Sequence, residues 1–131
     1  VFRELDAHPD DEQFPGILAV RLDGGLSFVT AHALGDRIRE AALAADPPLT
    51  AVVLDCQGVD FVDSQGSAKL GEFVELAQTN GVAFRLARVK PSVTEVLARD
   101  GVLEQIGADH IHADVNEAVT VQLASTAAGG A

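Results

Sequence analysis

Apolar positions along the chain fall into two kinds of block: short runs with strand spacing and longer stretches with helix spacing. Residues 17–22 (Ile-Leu-Ala-Val-Arg-Leu) read as a strand, Asp23-Gly24-Gly25 as turn chemistry, and residues 26–29 as a second strand. Asp-Gly and Gly-Gly tolerate positive φ, so these two runs are expected to pair as an antiparallel hairpin. Thr30 is a candidate N-cap for a helix over residues 30–45 with Leu34, Ile38 and Ala42 on one face, ended by Asp46-Pro47-Pro48. Residues 51–54 are continuously apolar, as in a strand covered on both faces. A helix is expected over residues 64–80, with Leu70, Phe73, Val74 and Ala77 inward and Gly81 just beyond its end. Residues 82–87 form the next strand. Pro91-Ser92 opens a third helix, where Ser92 and Glu95 have capping-box spacing, and Gly101 closes it. His110-Ile111-His112 is a short strand. Asp114 and Glu117 are placed to cap a last helix with Val115, Ala118, Val119 and Leu123 inward. Residues 2–5 are a weaker strand candidate, and residues 8–15 read as a polar loop.

Strands that alternate with helices need crossover connections. The expected fold is therefore a single α/β domain over residues 1–123. Its central sheet is mostly parallel and mixed, with an N-terminal antiparallel hairpin and about four flanking helices. Residues 124–131 are small and uncharged and read as a flexible tail.

Composition narrows the function. The chain has 131 residues, 47% of them hydrophobic, with six Phe and no Trp, Tyr or Met. A formal net charge of −11 argues against a nucleic-acid backbone and against charge-driven docking on an anionic membrane, and points to a monomer in isolation. The single cysteine, Cys56, permits no intrachain disulfide and fits a reducing compartment. It reads as a small buried hydrophobe whose acidic neighbours raise its pKa. No apolar run is long enough to span a bilayer, and no secretory signal is visible. A first residue of Val1 suggests a piece of a longer protein.

The candidate chemistry lies after the strand at residues 51–54. Asp55, Gly58, Asp60 and Asp63 sit in what reads as a loop leading to Ser64, Gln65 and Gly66 at a helix start. Ser64 has two compatible readings: a helix cap, or a regulatory phosphoacceptor facing free N–H groups and the positive end of the helix dipole. The three acids fit no calcium loop, and their expected roles are caps and turns. His110 and His112 share a face if extended, but no cysteine pair or second histidine cluster supports zinc. No P-loop, G-x-G-x-x-G or nucleophile elbow is present, so catalysis has no positive sign.

The pattern strand–Asp–loop–Asp63-Ser64-Gln65-Gly66–helix resembles the STAS domain of sulfate transporters and anti-sigma factor antagonists. Residues 15–30, with Phe28 after the turn and Thr30 where Asn is usual, are similar to the transporter branch. So are residues 86–97, residues 106–119 and the lead-in Val1-Phe2-Arg3. The resemblance implies a non-enzymatic cytoplasmic regulatory domain of a bacterial SulP/SLC26-type sulfate or anion transporter. Such a domain would be tethered at the inner face of the plasma membrane and would partner the transmembrane domain of the same transporter. A regulatory protein or a purine nucleotide, GTP or GDP bound weakly with no required cofactor, would be a further partner. The ligand or partner loop would comprise Asp55, Gly58, Asp60, Asp63, Ser64, Gln65 and Gly66, with Phe28 and Thr30 contributing from the hairpin. In the antagonist branch, the serine after the aspartate, here Ser64, is the one phosphorylated. The alternatives are GTP/GDP binding as the main activity, and a phosphorylation-switched anti-sigma factor antagonist.

Overall fold

The computed structural model describes residues 12–129. Five strands form one sheet in the order β1 (Glu12–Phe14), β2 (Ile17–Leu26), β3 (Ala51–Val62), β4 (Ala83–Ala87) and β5 (Ile111–His112). Strands β2 to β5 are mutually parallel, and the three-residue β1 lies antiparallel to β2. Among the described residues five α-helices accompany them: α1 (Phe28–Ala44), α2 (Ser64–Thr79), α3 (Pro91–Arg99), α4 (Val102–Ile106) and α5 (Val115–Gly129).

Because spatial order follows chain order, each right-handed crossover lands on the same side of the sheet. Helices α1 to α4 therefore bury one face. Ala31, Leu34, Leu70, Val74, Val93, Leu97, Val102 and Ile106 pack there on Leu18, Val20, Val52, Leu54, Phe84 and Leu86. The alternate strand positions Ile17, Ala19, Ala51, Val53 and Ala87 point the other way, where Ala118 and Val119 of α5 cover them.

The expected hairpin does not form. Residues 17–26 are one continuous strand parallel to β3, and α1 starts at Phe28. The Asp23-Gly24-Gly25 chemistry is used for irregularities, not for a turn: the register with β3 shifts between Arg21 and Asp23 and again between Gly24 and Gly25. Gly24 takes φ +88, which a side chain would strain. The apparent loop after Asp55 is likewise strand. Residues Gly58, Val59, Phe61 and Val62 pair with the irregular half of β2, so the β2–β3 ribbon runs beyond the end of β4.

Other boundaries differ too. Residues 12–14 of the expected polar loop pair as β1. Helix α4 lies between Gly101 and Gly107, both at positive φ, and brings the helix count to five. The N-cap of α3 is Lys90 with no side-chain bond, so Ser92 and Glu95 form no capping box; Pro91 supplies the preset φ instead. Ala42 and Leu123 are exposed, and Gln122 takes an inward position on α5. Helix α5 continues through residues 124–129, which composition assigns to a tail. The strand candidate at residues 2–5 and the lead-in at residues 1–3 lie outside the described residues.

One contact fixes the ribbon to α2. An ideal Cβ on Gly66 would lie 2.1 Å from the Leu26 carbonyl oxygen and 2.8 Å from the Ser27 nitrogen, both backbone atoms that cannot swing aside. Gly66→Ala is expected to lower stability by about 1–3 kcal/mol in urea unfolding. Gly71→Ala on the same helix, whose Cβ meets nothing nearer than the Gln105 side chain at 3.2 Å, should be neutral or stabilising.

Candidate functional site

Two helix starts meet at the carboxyl ends of β2 and β3. Ser27 is the N-cap of α1: its hydroxyl accepts from the Thr30 N–H at 3.3 Å, and the Thr30 hydroxyl accepts from the Ser27 N–H at 2.9 Å. Thr30 is thus the third residue of a capping box rather than the cap, and its hydroxyl also donates to the Gly25 carbonyl at 2.8 Å. Phe28 and Thr30 belong to the first turn of α1, not to a hairpin.

The second start is that of α2. Its N-cap is Asp63, whose carboxylate accepts from the Gly66 N–H at 2.7 Å while its carbonyl accepts from the Ser67 N–H at 2.9 Å. The Asp63 N–H donates to the Leu26 carbonyl at 3.1 Å, which ties the two starts together. Ser64 is the first helical residue and exposed, so its hydroxyl is not the cap. Gln65 is exposed beside it, and Gly66 is buried against Leu26.

Sequence reasoning singled out Phe28 but missed Lys69 and Phe61 beside it. Lys69 Nζ lies 5.4 Å from the ring centroids of both Phe28 and Phe73 and 3.3 Å from Glu72. Phe28 stacks on His32 at 6.0 Å, and with Gln65, Ala68, Lys69 and Glu72 it lines a shallow depression between the helix starts. Phe61 on the ribbon is 57% exposed, its ring seated on Gly25, where a Cβ would come within 2.3 Å of it. An i,i+3/i,i+4 search from Phe28 and Lys69 would find their own helix neighbours, but Phe28 to Lys69 is a contact between helices.

The remaining predicted residues do not join Ser64 in a loop. Asp55 is a buried residue of β3. Its carboxylate accepts from Arg88 Nη2 at 2.6 Å, from Arg88 Nε at 3.2 Å and from the Gln57 N–H at 3.1 Å. The hydrogen bond to Asp55 holds the Arg88 guanidinium above its ordinary pKa. Arg88 itself sits at φ +56 just past β4. Asp60 is exposed and pairs with Lys90 Nζ at 2.9 Å. Gly58 leaves room for the Asp23 side chain, which would lie 1.9 Å from a Cβ placed there. These groups brace the ribbon against β4 and α3, and Asp63, Ser64 and Gln65 form the exposed start of α2 with Gly66 buried behind them. Among the described residues, no three His, Cys, Asp or Glu side chains are grouped to hold a metal.

Cys56 is buried, and desolvation followed by the Asp55 charge pushes its thiol up to about 12, so it is no nucleophile at neutral pH. His112 is buried against Arg85 in a separate cluster beneath α5.

Residues 8–118 match the family model of the STAS domain. The chain is 28% identical over 130 residues to the probable sulfate transporter 4.2 of Arabidopsis thaliana, covering 92% of this chain and 19% of that protein. It spans about a fifth of the length of the curated relatives it matches. The SulP transporter STAS domain of Vibrio cholerae superposes with a TM-score of 0.73 at 17% identity, covering 95% of this chain and 94% of that one. A sulfate transporter family protein from Wolinella succinogenes gives a TM-score of 0.70 at 20% identity, over 91% and 94% of the two chains.

The capping geometry separates Asp63 from its neighbour. Asp63→Ala is expected to cost about 1 kcal/mol in urea unfolding, because the Gly66 N–H loses its acceptor. Ser64→Ala should change stability by less than about 0.5 kcal/mol, since an exposed first-turn hydroxyl that is not the cap contributes little.

Proposed function

This chain belongs to the STAS domain family, and on that premise we propose that it is the non-enzymatic, cytoplasmic regulatory domain of a SulP/SLC26-type sulfate or related anion transporter. The observation that carries the reading is coverage: nearly the whole chain aligns with a segment about one fifth as long as the sulfate transporters it resembles. The transmembrane part of the same transporter is then its first partner, with the domain held at the cytoplasmic face of the membrane. An acidic domain suits that position, because cytoplasmic loops of membrane proteins carry an excess of Lys and Arg. The regulatory region would be the turn Asp63-Ser64-Gln65-Gly66, exposed at its first three residues, with Phe28 and Phe61 beside it.

A second reading is favoured by the paired helix starts: N-termini of α1 and α2, side by side at the carboxyl ends of parallel strands, suit the phosphates of GTP or GDP. Binding would be weak, because Lys69 is the cation beside the turn and already engages Glu72. The exposure of Ser64 also suits the phosphoacceptor of an anti-sigma factor antagonist; phosphate there would add up to about two charges next to Asp63.

Removing this domain from the full-length transporter is expected to impair labelled-sulfate uptake or dimer assembly; normal uptake and normal dimerisation would refute the regulatory reading. For the second reading, NMR titration of the chain with GTP and GDP should shift amides of Ser64, Gly66 and Phe28. Shifts absent from that cluster at millimolar nucleotide would exclude it.

A further inference from the structure

The second halves of α1 and α2 stand apart over the amino ends of β3 and β4, and a cavity of about 190 Å³ lies between them. Its floor includes Val52 and Phe84, and its walls include Ile38 and Ala42 of α1 and Leu76 and Ala77 of α2. The local packing explains the gap. An ideal Cβ at Gly35 would run into the Phe73 ring, so that ring lies against the α1 backbone and closes one end. Beyond it the two helices present only the methyl groups of Ala42 and Ala77, which leave the space between them unfilled. An apolar cavity of about 150 Å³ is already enough to bind benzene. The mouth carries one charge. Arg39 is the only charged residue of the lining; its Nη1 donates to Asp36 at 3.0 Å, and Asp36 also faces His32 at 3.6 Å. The rest of the guanidinium fork is available to a second carboxylate. Asn80, the other polar side chain of the lining, donates to the Leu76 carbonyl at 2.8 Å.

We propose that this cavity binds a small amphiphile, an unbranched aliphatic chain of about six to eight carbons that ends in a carboxylate. The chain covers Val52, Leu76 and Phe84, and the carboxylate meets the free edge of the Arg39 guanidinium at the mouth. Volume sets the length, because the space is slightly larger than one that admits benzene. Charge sets the head group: a cation would be repelled by Arg39, and a neutral end would leave the fork to water. Binding takes apolar wall out of water, the half-exposed Leu76 side chain above all. The net charge of −11 weakens long-range attraction for any anion, so the aliphatic chain supplies most of the affinity and Arg39 the selectivity. The site is separate from the start of α2. It is lined by the second halves of the two helices whose first turns carry the Ser27 and Asp63 caps. It therefore stands whichever role Ser64 has.

Methyl and amide NMR of the chain, titrated with sodium octanoate at about pH 7.5 where the carboxylate is ionised, tests this. Resonances of Val52, Leu76, Ala77 and Val82 are expected to shift with half-saturation below about 1 mM, while those of Ser64 and Gly66 stay in place. Octan-1-ol and octylamine keep the chain and change the head, and each should bind at least about threefold more weakly. Arg39→Gln should weaken octanoate to the level of octanol and leave octanol unchanged, a split that general damage to the fold would not produce. Ala77→Leu fills the space and should abolish the shifts while the spectrum stays dispersed. If that variant does not fold, Ala42→Leu, at the exposed edge of the cavity, closes the mouth instead. No shift of the lining residues at about 10 mM octanoate would overturn the assignment. So would shifts centred on Ser64, equal affinity for the three head groups, or binding that survives the filling variant.

Discussion

The Leu26 backbone against the first turn of α2 is the constraint on which the rest of this end of the molecule depends. Its carbonyl accepts from the Asp63 N–H and lies where a Cβ on Gly66 would be. That contact brings the end of β2 onto the start of α2. The next residue, Ser27, then caps α1 beside the Asp63 cap of α2. Two helix N-termini become neighbours, Phe28 comes over Lys69, and Ser64 is left outward because Asp63 has taken the capping role. The exposure of Ser64 is thus a consequence of backbone packing several residues away.

The same sequential topology that builds this end leaves the opposite face of the sheet with one covering helix among the described residues. Four helices bury large aliphatic side chains on one side, whereas α5 meets mainly Ala and Val on the other. A small apolar interface gives α5 limited hydrophobic attachment, since burial energy follows apolar area. The buried Arg85–Gln122–His112 cluster supplies the rest, and such a cluster holds only while every donor has an acceptor. Thin apolar packing therefore leaves the attachment of α5 dependent on that polar cluster.

Much of this was legible in the sequence. The apolar run at residues 51–54, the periodicity of α2 and the alternation of strands with helices gave the parallel sheet, because burial on both faces and helical spacing are local signals. What escaped was long-range. Asp23-Gly24-Gly25 carries the residues of a tight turn and of strand irregularities alike; only the register with Gly58 to Val62 decides between them. That register also turned the acidic stretch after Asp55 from loop into strand and separated Asp55 and Asp60 from Ser64. The capping error at Thr30 has a similar origin, since Ser27 and Thr30 are both good caps and the end of β2 selects the earlier one. Arg85 and Gln122 are 37 residues apart, and nothing in either neighbourhood announces the pair.

Charge distribution bears on which kind of partner the exposed turn suits. Arg21, Lys69, Arg88 and Lys90 are four of the nine Lys and Arg in the chain, and each lies at this end of the sheet paired with an acid: Asp23, Glu72, Asp55 and Asp60. The chain's net charge of −11 therefore resides mostly elsewhere, and the surface around Ser64 is close to neutral. Beside these ion pairs it displays the exposed rings of Phe28 and Phe61. A phosphate-rich ligand would have to draw these cations away from their partners, whereas a protein surface could cover the rings and leave the ion pairs in place.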